Sequence, residues 1–427
     1  FAHDDQSFGT NGDESIIKCG SFSYTGGTPL EVNLGWEAQW VLVKRTDGVD
    51  SWFLADTMRG MIDGDGAYLQ PNTANAEGPY GIAGATSTGF IFDPGTQIFS
   101  TGSFIYMAIR RPHKPPTAAT EVFKPVSRSG TASNTSMTGV GFAPDTHFSK
   151  ILSNGNTYQN LWFDKLMGPG TYIKPATTAA ENTSSNIQLS FDQDGVTFGN
   201  GNNANGSGLD YINYFFKRAP GFFDVVAYTG DGTINRTIPH NLGVVPELVI
   251  AKRRSSSGDW WVGAADILGS GKFMYLSRDN AKTPNIGTYG VFGTHTATTI
   301  GLETAQNNDT NHNNSTYVTY LFATLDGISK VGSYTGTGSN IDVDCGFAAG
   351  ARFVLIKRTD STGDWYVWDT ERGIGTGNDP YSLLNTTDAE VTSTDYIDPL
   401  NAGFTVTSSA PTAINASGGE YLFLAIA

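Results

Sequence analysis

Two stretches of this chain, starting at residues 40 and 353, read WVLVKRTDGVDSWFLADTMRG and FVLIKRTDSTGDWYVWDTERG. Aligned without a gap, they are identical at 11 of 21 positions. Such similarity over a long interval indicates a repeat architecture, and it constrains the fold more than any single motif does. The chain has 427 residues, which is enough for several domains of roughly 100–200 residues each.

Two landmarks recur along the chain at one common interval. The first is an aspartate at the end of the second hairpin strand, with intervals of 108, 102 and 103 residues between Asp56, Asp164, Asp266 and Asp369. The second is an aromatic residue that opens an apolar run, with intervals of 107, 106 and 104 residues between Phe104, Tyr211, Tyr317 and Tyr421. We therefore predict four tandem repeats of about 104 residues each.

The predicted domain boundaries follow from these landmarks. Residues 1–19 would hold a connector and the end of a preceding repeat, because Phe1-Ala2 matches Phe322-Ala323. The repeats themselves would span residues 20–112, 113–221, 222–327 and 328–427, of which the second is degenerate. Short junctions such as RRPHKPP indicate stacked modules, since proline-rich segments are stiff.

Each repeat has the sequence pattern of antiparallel β-structure. FVLIKR is an apolar run of strand length, TDSTG has the residues of a turn, and DWYVWD returns as a second strand. Asn, Ser and Thr are abundant and disfavour helices, because their side chains compete for backbone hydrogen bonds. We therefore expect an all-β fold, with each repeat an antiparallel β-sandwich.

The charge balance of the chain excludes some partners. Lys and Arg number 26 and Asp and Glu number 41, which gives a formal charge of −15. An acidic surface repels phosphate backbones and anionic lipid headgroups, so we expect neither nucleic acid nor membrane as a partner. The two cysteines, Cys19 and Cys345, do not occupy equivalent places in the repeat, which argues against a shared role.

No constellation of catalytic or metal-binding residues recurs with the repeat. The four aspartates have no second carboxylate at a constant spacing, as a glycosidase would require. His240 is the best-placed histidine, but the other five lie at no metal-ligand spacing. MIDGDGAYL and FDQDGVTF do not fit the calcium-loop pattern and are interpreted as turns. We expect no enzymatic activity, no cofactor and no metal site.

The residues that define the repeat are predicted to be structural. We interpret Asp56 and Asp369 as strand-end residues that bond to their turns, and assign the same structural position to Asp164 and Asp266. Trp52, Trp260 and Trp365 head the second hairpin strand and are predicted to be core residues. Trp261 and Trp368 alternate away from them and are the candidates for exposed glycan contacts.

The Lys-Arg pairs that end the first hairpin strand leave two alternatives open. Lys44-Arg45 and Lys357-Arg358 each precede an aspartate. They fit a solvated hairpin end with local ion pairing, or a contact to a small anion or sugar acid.

Several segments together resemble a known family: GSYTGTGS, FVLIKRTDSTGDWYVWDTERG and INASGGEYLFLAIA in the fourth repeat, and VVAYTGDGT and IPHNLGVVPELVIAKRR in the third. They resemble a repeated β-domain of unknown function in tail-fibre-like and other structural virion proteins of marine tailed phages, of the cyanophage type. The resemblance is strong over residues 222–427, fair over residues 20–112 and weak in the second repeat. It implies a jelly-roll or lectin-like sandwich in a virion component, and it supplies no active site.

The expected function is that of a structural virion protein in a tail fibre or similar appendage that contributes to host-surface adsorption. Such a protein would be a homo-oligomer, with a trimer favoured, and would contact other virion proteins and a host glycan or protein. The alternative is a capsid- or tail-decorating protein that binds other virion proteins. A polysaccharide depolymerase and a bacterial surface adhesin are the less favoured functions. A depolymerase would need clustered carboxylates, and the repeat provides no such pair.

Overall fold

The computed structural model describes residues 3–5, 7–9, 12, 14–62, 66–79, 81–93, 101–153, 158–284, 291–303 and 310–427. In these residues the chain forms antiparallel sheets and a few short helical segments, which confirms the all-β prediction. Four successive stretches of chain form the sheets. We name them module 1 (residues 17–110), module 2 (123–216), module 3 (223–322) and module 4 (329–426).

Short strands make up every module, and modules 2, 3 and 4 also contain a helix of about one turn. Module 1 contains β1 (Ile17–Tyr24), β2 (Leu30–Asn33), β3 (Ala38–Arg45), β4 (Trp52–Asp56), β5 (Ala83–Thr86), β6 (Gly89–Phe92) and β7 (Gly102–Arg110). A 3₁₀ turn (Ala119–Glu121) precedes module 2, which contains β8 (Phe123–Ser129), β9 (Thr135–Met137), β10 (Thr146–Ile151), β11 (Leu161–Asp164), β12 (Thr171–Ile173), β13 (Asn182–Thr183), β14 (Gln188–Asp192), β15 (Gly195–Phe198), α1 (Asn202–Asn205) and β16 (Asp210–Phe216). Module 3 contains β17 (Phe223–Thr229), β18 (Arg236–Pro239), β19 (Leu248–Arg253), β20 (Trp260–Gly263), α2 (Ala265–Leu268), β21 (Lys272–Tyr275), β22 (Thr283–Pro284), β23 (Thr299–Leu302) and β24 (Thr316–Phe322). Module 4 contains β25 (Ser329–Thr335), β26 (Ile341–Asp344), β27 (Phe353–Arg358), β28 (Trp365–Asp369), β29 (Ser382–Leu383), β30 (Ile397–Leu400), β31 (Gly403–Val406), α3 (Thr412–Asn415) and β32 (Glu420–Ile426).

The larger sheet has the same central strand order in every module. The order is β1-β7-β3-β4 in module 1, β8-β16-β10-β11 in module 2, β17-β24-β19-β20 in module 3 and β25-β32-β27-β28 in module 4. Each module also has a smaller sheet: β2-β6-β5, β14-β15-β9, β18-β23 and β26-β31-β30. In module 1 the core joins residues of both sheets, such as Val41 and Phe104 with Phe90. This is the packing of a two-sheet sandwich.

The last strand of module 4 shows that a central strand of a larger sheet can be apolar on both faces. In β32, Tyr421, Phe423 and Ala425 pack in the core of module 4, while the intervening Leu422, Leu424 and Ile426 are also buried. Antiparallel strands with one face in water alternate between apolar and polar residues, whereas strands buried on both faces do not. The outer face of such a sheet therefore needs a packing partner.

The chain divides into two compact units. One contains the sandwich of module 1, and the other contains most of modules 2, 3 and 4. The three later modules fall into one unit because the outer faces of their larger sheets pack against one another, with Phe216 of module 2 in ring contact with Phe322 of module 3 and Phe353 of module 4. The domain boundaries drawn from the sequence stay predictions.

A buried asparagine secures the turn before the last strand of module 4. Asn415 Nδ2 donates to the main-chain oxygens of Ser339 and Thr407 at 2.9 Å each. Its Oδ1 accepts from the amides of Thr337 at 3.0 Å and Gly338 at 3.1 Å. One side chain thus satisfies four backbone groups and ties α3 to two other segments.

The same device recurs in module 2, and sequence reasoning missed it. Asn205 Nδ2 donates to the oxygens of Ser133 and Gly199, and its Oδ1 accepts from the amide of Thr131. Asn311 of module 3 is likewise buried and bonds to Thr233 O. The available signal was an asparagine six residues before the tyrosine of the last strand, in NGSGLDY, NHNNSTY and NASGGEY.

We expect Asn415→Ala to lower the free energy of unfolding of the unit that contains module 4 by at least ~2 kcal/mol, because it leaves several buried backbone groups without partners. Denaturant unfolding of the full chain measures the change. The matched control is Asn401→Ala in an exposed turn, where we expect a change within about 0.5 kcal/mol. Equal losses in the two variants would contradict the assigned role of Asn415.

Candidate functional site

The lysine and the arginine at the end of the first hairpin strand lie in different environments. The arginines make local ion pairs, with 2.7 Å between Arg45 Nε and Asp47 Oδ1 and 2.9 Å between Arg358 Nε and Asp360 Oδ1. Local ion pairing, one of the two sequence-based alternatives, is therefore present at these arginines. The lysines behave differently.

Lys357 lies in a junction between two modules. Its side chain is fully buried, and Nζ donates to the main-chain oxygens of Asp279 at 3.3 Å and Asn280 at 3.0 Å, both in module 3. It also donates to Arg358 O at 2.7 Å. The expectation of a solvated hairpin end is wrong for Lys357, because module 3 covers this end of the strand.

The equivalent lysines of modules 2 and 3 make the same kind of contact. Lys252 is fully buried in module 3, and its Nζ donates to Thr178 O of module 2 at 3.5 Å. Lys150 of module 2 is fully buried as well, and donates to Thr386 O at 3.2 Å and Asp388 O at 3.0 Å in module 4. Module 4 thus contacts module 3, module 3 contacts module 2, and module 2 contacts module 4. The three contacts close a head-to-tail ring.

Backbone hydrogen bonds join the modules at equivalent places around the ring. In each junction an amide of one module donates to the main-chain oxygen two residues after the lysine of the next. The three donor–acceptor pairs are Lys282 to Thr359 at 2.8 Å, Glu181 to Arg254 at 2.9 Å and Glu390 to Leu152 at 3.1 Å. The ring is therefore held by backbone geometry as well as by side chains.

The residue opposite the lysine in each hairpin also bonds across the junction. Trp365 and Trp260 occupy this position in modules 4 and 3, and Asn160 occupies it in module 2. Their contacts to the next module are Trp365 Nε1 to Tyr275 O at 3.0 Å, Trp260 Nε1 to Thr177 O at 3.1 Å and Asn160 Nδ2 to Thr386 O at 2.7 Å. Trp260 and Trp365 are thus buried as predicted, but at module junctions rather than inside one sandwich.

Trp52 has the equivalent position in module 1 and a different environment. It pairs with Lys44 as Trp365 pairs with Lys357, yet it is 36% exposed. The predicted core position is wrong for Trp52, because its side chain lies on the outer face of the sheet.

The centre of the ring is apolar. Residues of all three modules surround a cavity of about 30 Å³, among them Phe148 and Phe216, Ile250 and Phe322, and Phe353 and Leu424. The ring of Phe216 lies 6.0 Å from that of Phe322 and 6.5 Å from that of Phe353, centroid to centroid. One phenylalanine of module 2 therefore contacts both other modules.

Asp369 is part of the junction between modules 4 and 2. It is fully buried, accepts from Arg372 Nε at 2.6 Å and from the Arg372 amide at 2.9 Å, and accepts from Tyr214 Oη of module 2 at 2.8 Å. Burial and the neighbouring Asp369 carboxylate raise the pKa of Tyr214 well above its usual value, so the phenol keeps its proton. Asp369 therefore bonds to its own turn and to a neighbouring module.

The other repeated aspartates have more local contacts. Asp56 Oδ1 accepts from the amides of Met58 and Arg59 at 3.0 Å each. Asp164 Oδ1 accepts from the amide of Leu166 at 2.7 Å, and its side chain is buried. Both contacts are those of a carboxylate that bonds to the turn after its strand.

The alignment of Asp266 with the other aspartates needs a correction. Lys252 pairs with Trp260 in the hairpin as Lys357 pairs with Trp365, so the residue equivalent to Asp369 is Ala264. Asp266 lies two residues further on, in α2, where it lines a cleft of about 230 Å³ together with His295 and Glu303. The recurring aspartate of module 3 is therefore two residues beyond the position that Asp369 has in module 4.

Neither candidate glycan contact is exposed. Trp261 is buried in a core cluster of module 3 with Phe273, and Trp368 is buried in the core of module 4. Trp368 and Trp365 thus lie on opposite faces of β28, and the face assigned from the sequence was wrong. Since both faces of this sheet are apolar, alternation along the strand did not reveal which face is covered by the module itself.

The remaining sequence candidates do not form a site. His240 is buried, and Cys19 and Cys345 are free thiols. In FDQDGVTF, Asp194 accepts from the amides of Gly139 and Gly141 at 2.9 and 2.6 Å, as a turn residue does. Part of MIDGDGAYL, residues 63–65, lies outside the described residues. Within the described ranges no group of three or more His, Cys, Asp and Glu side chains could hold a metal ion.

We expect the free energy of unfolding to rise with pH above about 8. Burial lowers the pKa of Lys150, Lys252 and Lys357 from 10.5 to about 8 in each case. These lysines lose their protons in the folded chain before the unfolded chain does, so the unfolded state binds more protons between about pH 8 and 10.5 and stability increases there. The limit is about 1.4 kcal/mol per pH unit for each lysine.

Denaturant unfolding below pH 10, before unfolded tyrosines ionise, measures this slope. Lys357→Met should reduce the slope, whereas Lys272→Met, at an exposed lysine of module 3, should leave it unchanged. A flat or falling stability over the same pH range would contradict the lysine assignment.

Comparison with known families gives one match. A family model described as Domain of unknown function (DUF7483) matches residues 13–112 and 118–427. A search of the curated proteins found no match. Among the helices of the described residues, none has the length and apolar character needed to cross a membrane.

Proposed function

The chain belongs to the family of domains of unknown function DUF7483. We propose that it is a structural virion protein of a tailed phage. It would form part of a tail fibre or similar appendage and contribute to host-surface adsorption. The observation that supports a structural role is the use of the recurring polar residues. Lys150, Lys252 and Lys357 are all buried in contacts between modules.

A repeated binding or catalytic site would keep its recurring residues accessible to a ligand. In module 4 the lysine, the tryptophan and the aspartate of the repeat, Lys357, Trp365 and Asp369, are all hydrogen-bonded within or between modules. Side chains used in this way give rigid, fixed modules. Rigid modules suit a particle component, and we propose no enzymatic activity for the chain.

The resemblance of the third and fourth repeats to structural virion proteins supports the phage assignment. The acidic, weakly charged composition is compatible with an extracellular particle, because it disfavours non-specific binding to nucleic acid and anionic lipid. The proposed partners are other virion proteins, a host-surface glycan or protein recognised by a lectin-like sandwich, and further copies of the chain, with a trimer favoured.

The alternative is a capsid- or tail-decorating protein that binds other virion proteins. It is supported by the same structural use of the repeat residues, and it differs in where the chain sits on the particle. A polysaccharide depolymerase and a bacterial surface adhesin are the less favoured functions.

Labelling of intact virions with antibodies raised against the purified chain tests the proposal. We expect label on the tail fibres, and a loss of phage adsorption when host cells are first incubated with the free chain. Uniform label over the capsid or tail tube would support the decorating role instead. Release of reducing ends from host glycan would support a depolymerase, and absence of the chain from purified particles would contradict the virion assignment.

A further inference from the structure

Module 1 carries the same outer face that modules 2, 3 and 4 use to form their ring. Ile105, Lys44 and Trp52 lie directly opposite one another on β7, β3 and β4, and so form one row across the sheet. The equivalent rows are Val318, Lys252 and Trp260 in module 3, and Leu422, Lys357 and Trp365 in module 4.

The two later rows are covered and the row of module 1 is not. All six side chains in the rows of modules 3 and 4 are fully buried. In module 1, Ile105 is 41% exposed and Trp52 is 36% exposed, and the neighbouring Leu69 is 37% exposed. Exposed large apolar side chains that form one patch indicate an interaction surface.

The lysine of module 1 retains the local half of its contact. Lys44 Nζ donates to Arg45 O at 2.8 Å, as Lys357 Nζ donates to Arg358 O at 2.7 Å. The further acceptors of Lys357 are supplied by module 3. Lys44 is therefore positioned to donate to main-chain oxygens of a neighbour.

Module 1 also carries the segment that accepts such a lysine. In module 4 this segment follows Asn385, whose Oδ1 accepts from Trp365 N at 3.0 Å; in module 1, Asn72 Oδ1 accepts from Trp52 N at 2.9 Å. When modules 1 and 4 are aligned without a gap from Asn72 and Asn385, Thr73 and Asn75 occupy the positions of Thr386 and Asp388.

The end of the accepting segment is also preserved. Glu77 pairs with Arg59 at 3.7 Å, as Glu390 pairs with Arg372 at 3.5 Å. The amide of Glu390 is the one that donates to module 2. The side chain of Glu77 is 49% exposed, against 22% for Glu390. Module 1 therefore has both halves of a junction, the lysine row and the accepting segment.

We propose that three copies of this chain form a ring through module 1. In this ring the lysine row of one copy contacts the accepting segment of the next. Lys44 of one copy donates to the main-chain oxygens of Thr73 and Asn75 of the next copy. In the same junction, the amide of Glu77 of that next copy donates back to Thr46 O of the first, as Glu390 and Leu152 pair between modules 4 and 2. Trp52 and Ile105 become buried in the process. The inference deepens the oligomeric part of the proposed function and is independent of the virion assignment.

The geometry of the junction selects three copies. The lysine row and the accepting segment are different surfaces, so the contact is head-to-tail and a twofold dimer cannot satisfy it. A head-to-tail contact closes at the number of subunits that its rotation allows. The same contact closes a ring after three modules in modules 2, 3 and 4. Each of these modules contacts the next through the equivalent face of its larger sheet.

The mass of the full chain in solution, measured by light scattering and native mass spectrometry over a range of concentrations, tests the proposal. We expect a mass three times that of the chain. Ile105→Asp should reduce it threefold to that of a single copy. The matched control is Ile234→Asp, at an isoleucine of module 3 that is 46% exposed, and it should keep the trimer.

A second variant separates loss of assembly from loss of folding. Lys44→Asp places a negative charge where a donor is required and should also give single copies, while circular dichroism and the thermal transition of the later modules stay unchanged. A single-copy mass for the unmodified chain, a dimer, or a trimer that survives both module 1 variants would overturn the inference. If the unmodified chain has the mass of a single copy and antibodies raised against it still label tail fibres, only this inference fails and the proposed function stands.

Discussion

The unit formed by modules 2, 3 and 4 depends on a buried ammonium group that donates to main-chain oxygens of a neighbouring module. Burial removes water from the ammonium group of Lys357 at a cost in free energy, and it lowers the pKa of that group to about 8. The oxygens of Asp279 and Asn280 offset that cost only in one relative position of the modules. Hydrogen bonds to charged groups contribute ~1.5–3 kcal/mol and are directional, so they determine the register that the apolar faces alone would leave undefined.

The asymmetry of the junction explains why the modules form a ring. Each module offers a lysine row to one neighbour and an accepting segment to another, and an open chain of modules would leave one of each without a partner. Module 2 keeps this arrangement although its sequence is the most divergent. Asn160 stands where Trp260 and Trp365 stand, and its amide donates to the same part of the neighbouring module. The divergence therefore changed the size of the side chain and kept a donor at the junction.

Several features were predictable from local sequence. The apolar runs, the turn between them and the scarcity of helix-forming residues depend on nearest neighbours, and they lead to the hairpins and the all-β fold that the structure has. The ion pairs of Arg45 and Arg358 are local in the same sense. The buried Asn415 was missed, although its signal lay in the sequence, because three of its four backbone partners come from the distant segment of residues 337–339. The sequence comparison assigned Asp266 to the position that Ala264 holds. It did so because the intervals between aspartates do not show which residues pair across the hairpin.

The sequence by itself determined the strands, the hairpin register and the presence of the same lysine and tryptophan in modules 1, 3 and 4. Only the tertiary structure decided which of these side chains are buried and by what. Trp52 and Trp365 have the same partner in the hairpin and opposite environments, and Trp368 lies in the core where an exposed ring was expected. The physical reason is that both faces of these sheets are apolar. Alternation along a strand then separates the two faces without telling which one the module covers itself and which one needs a neighbour.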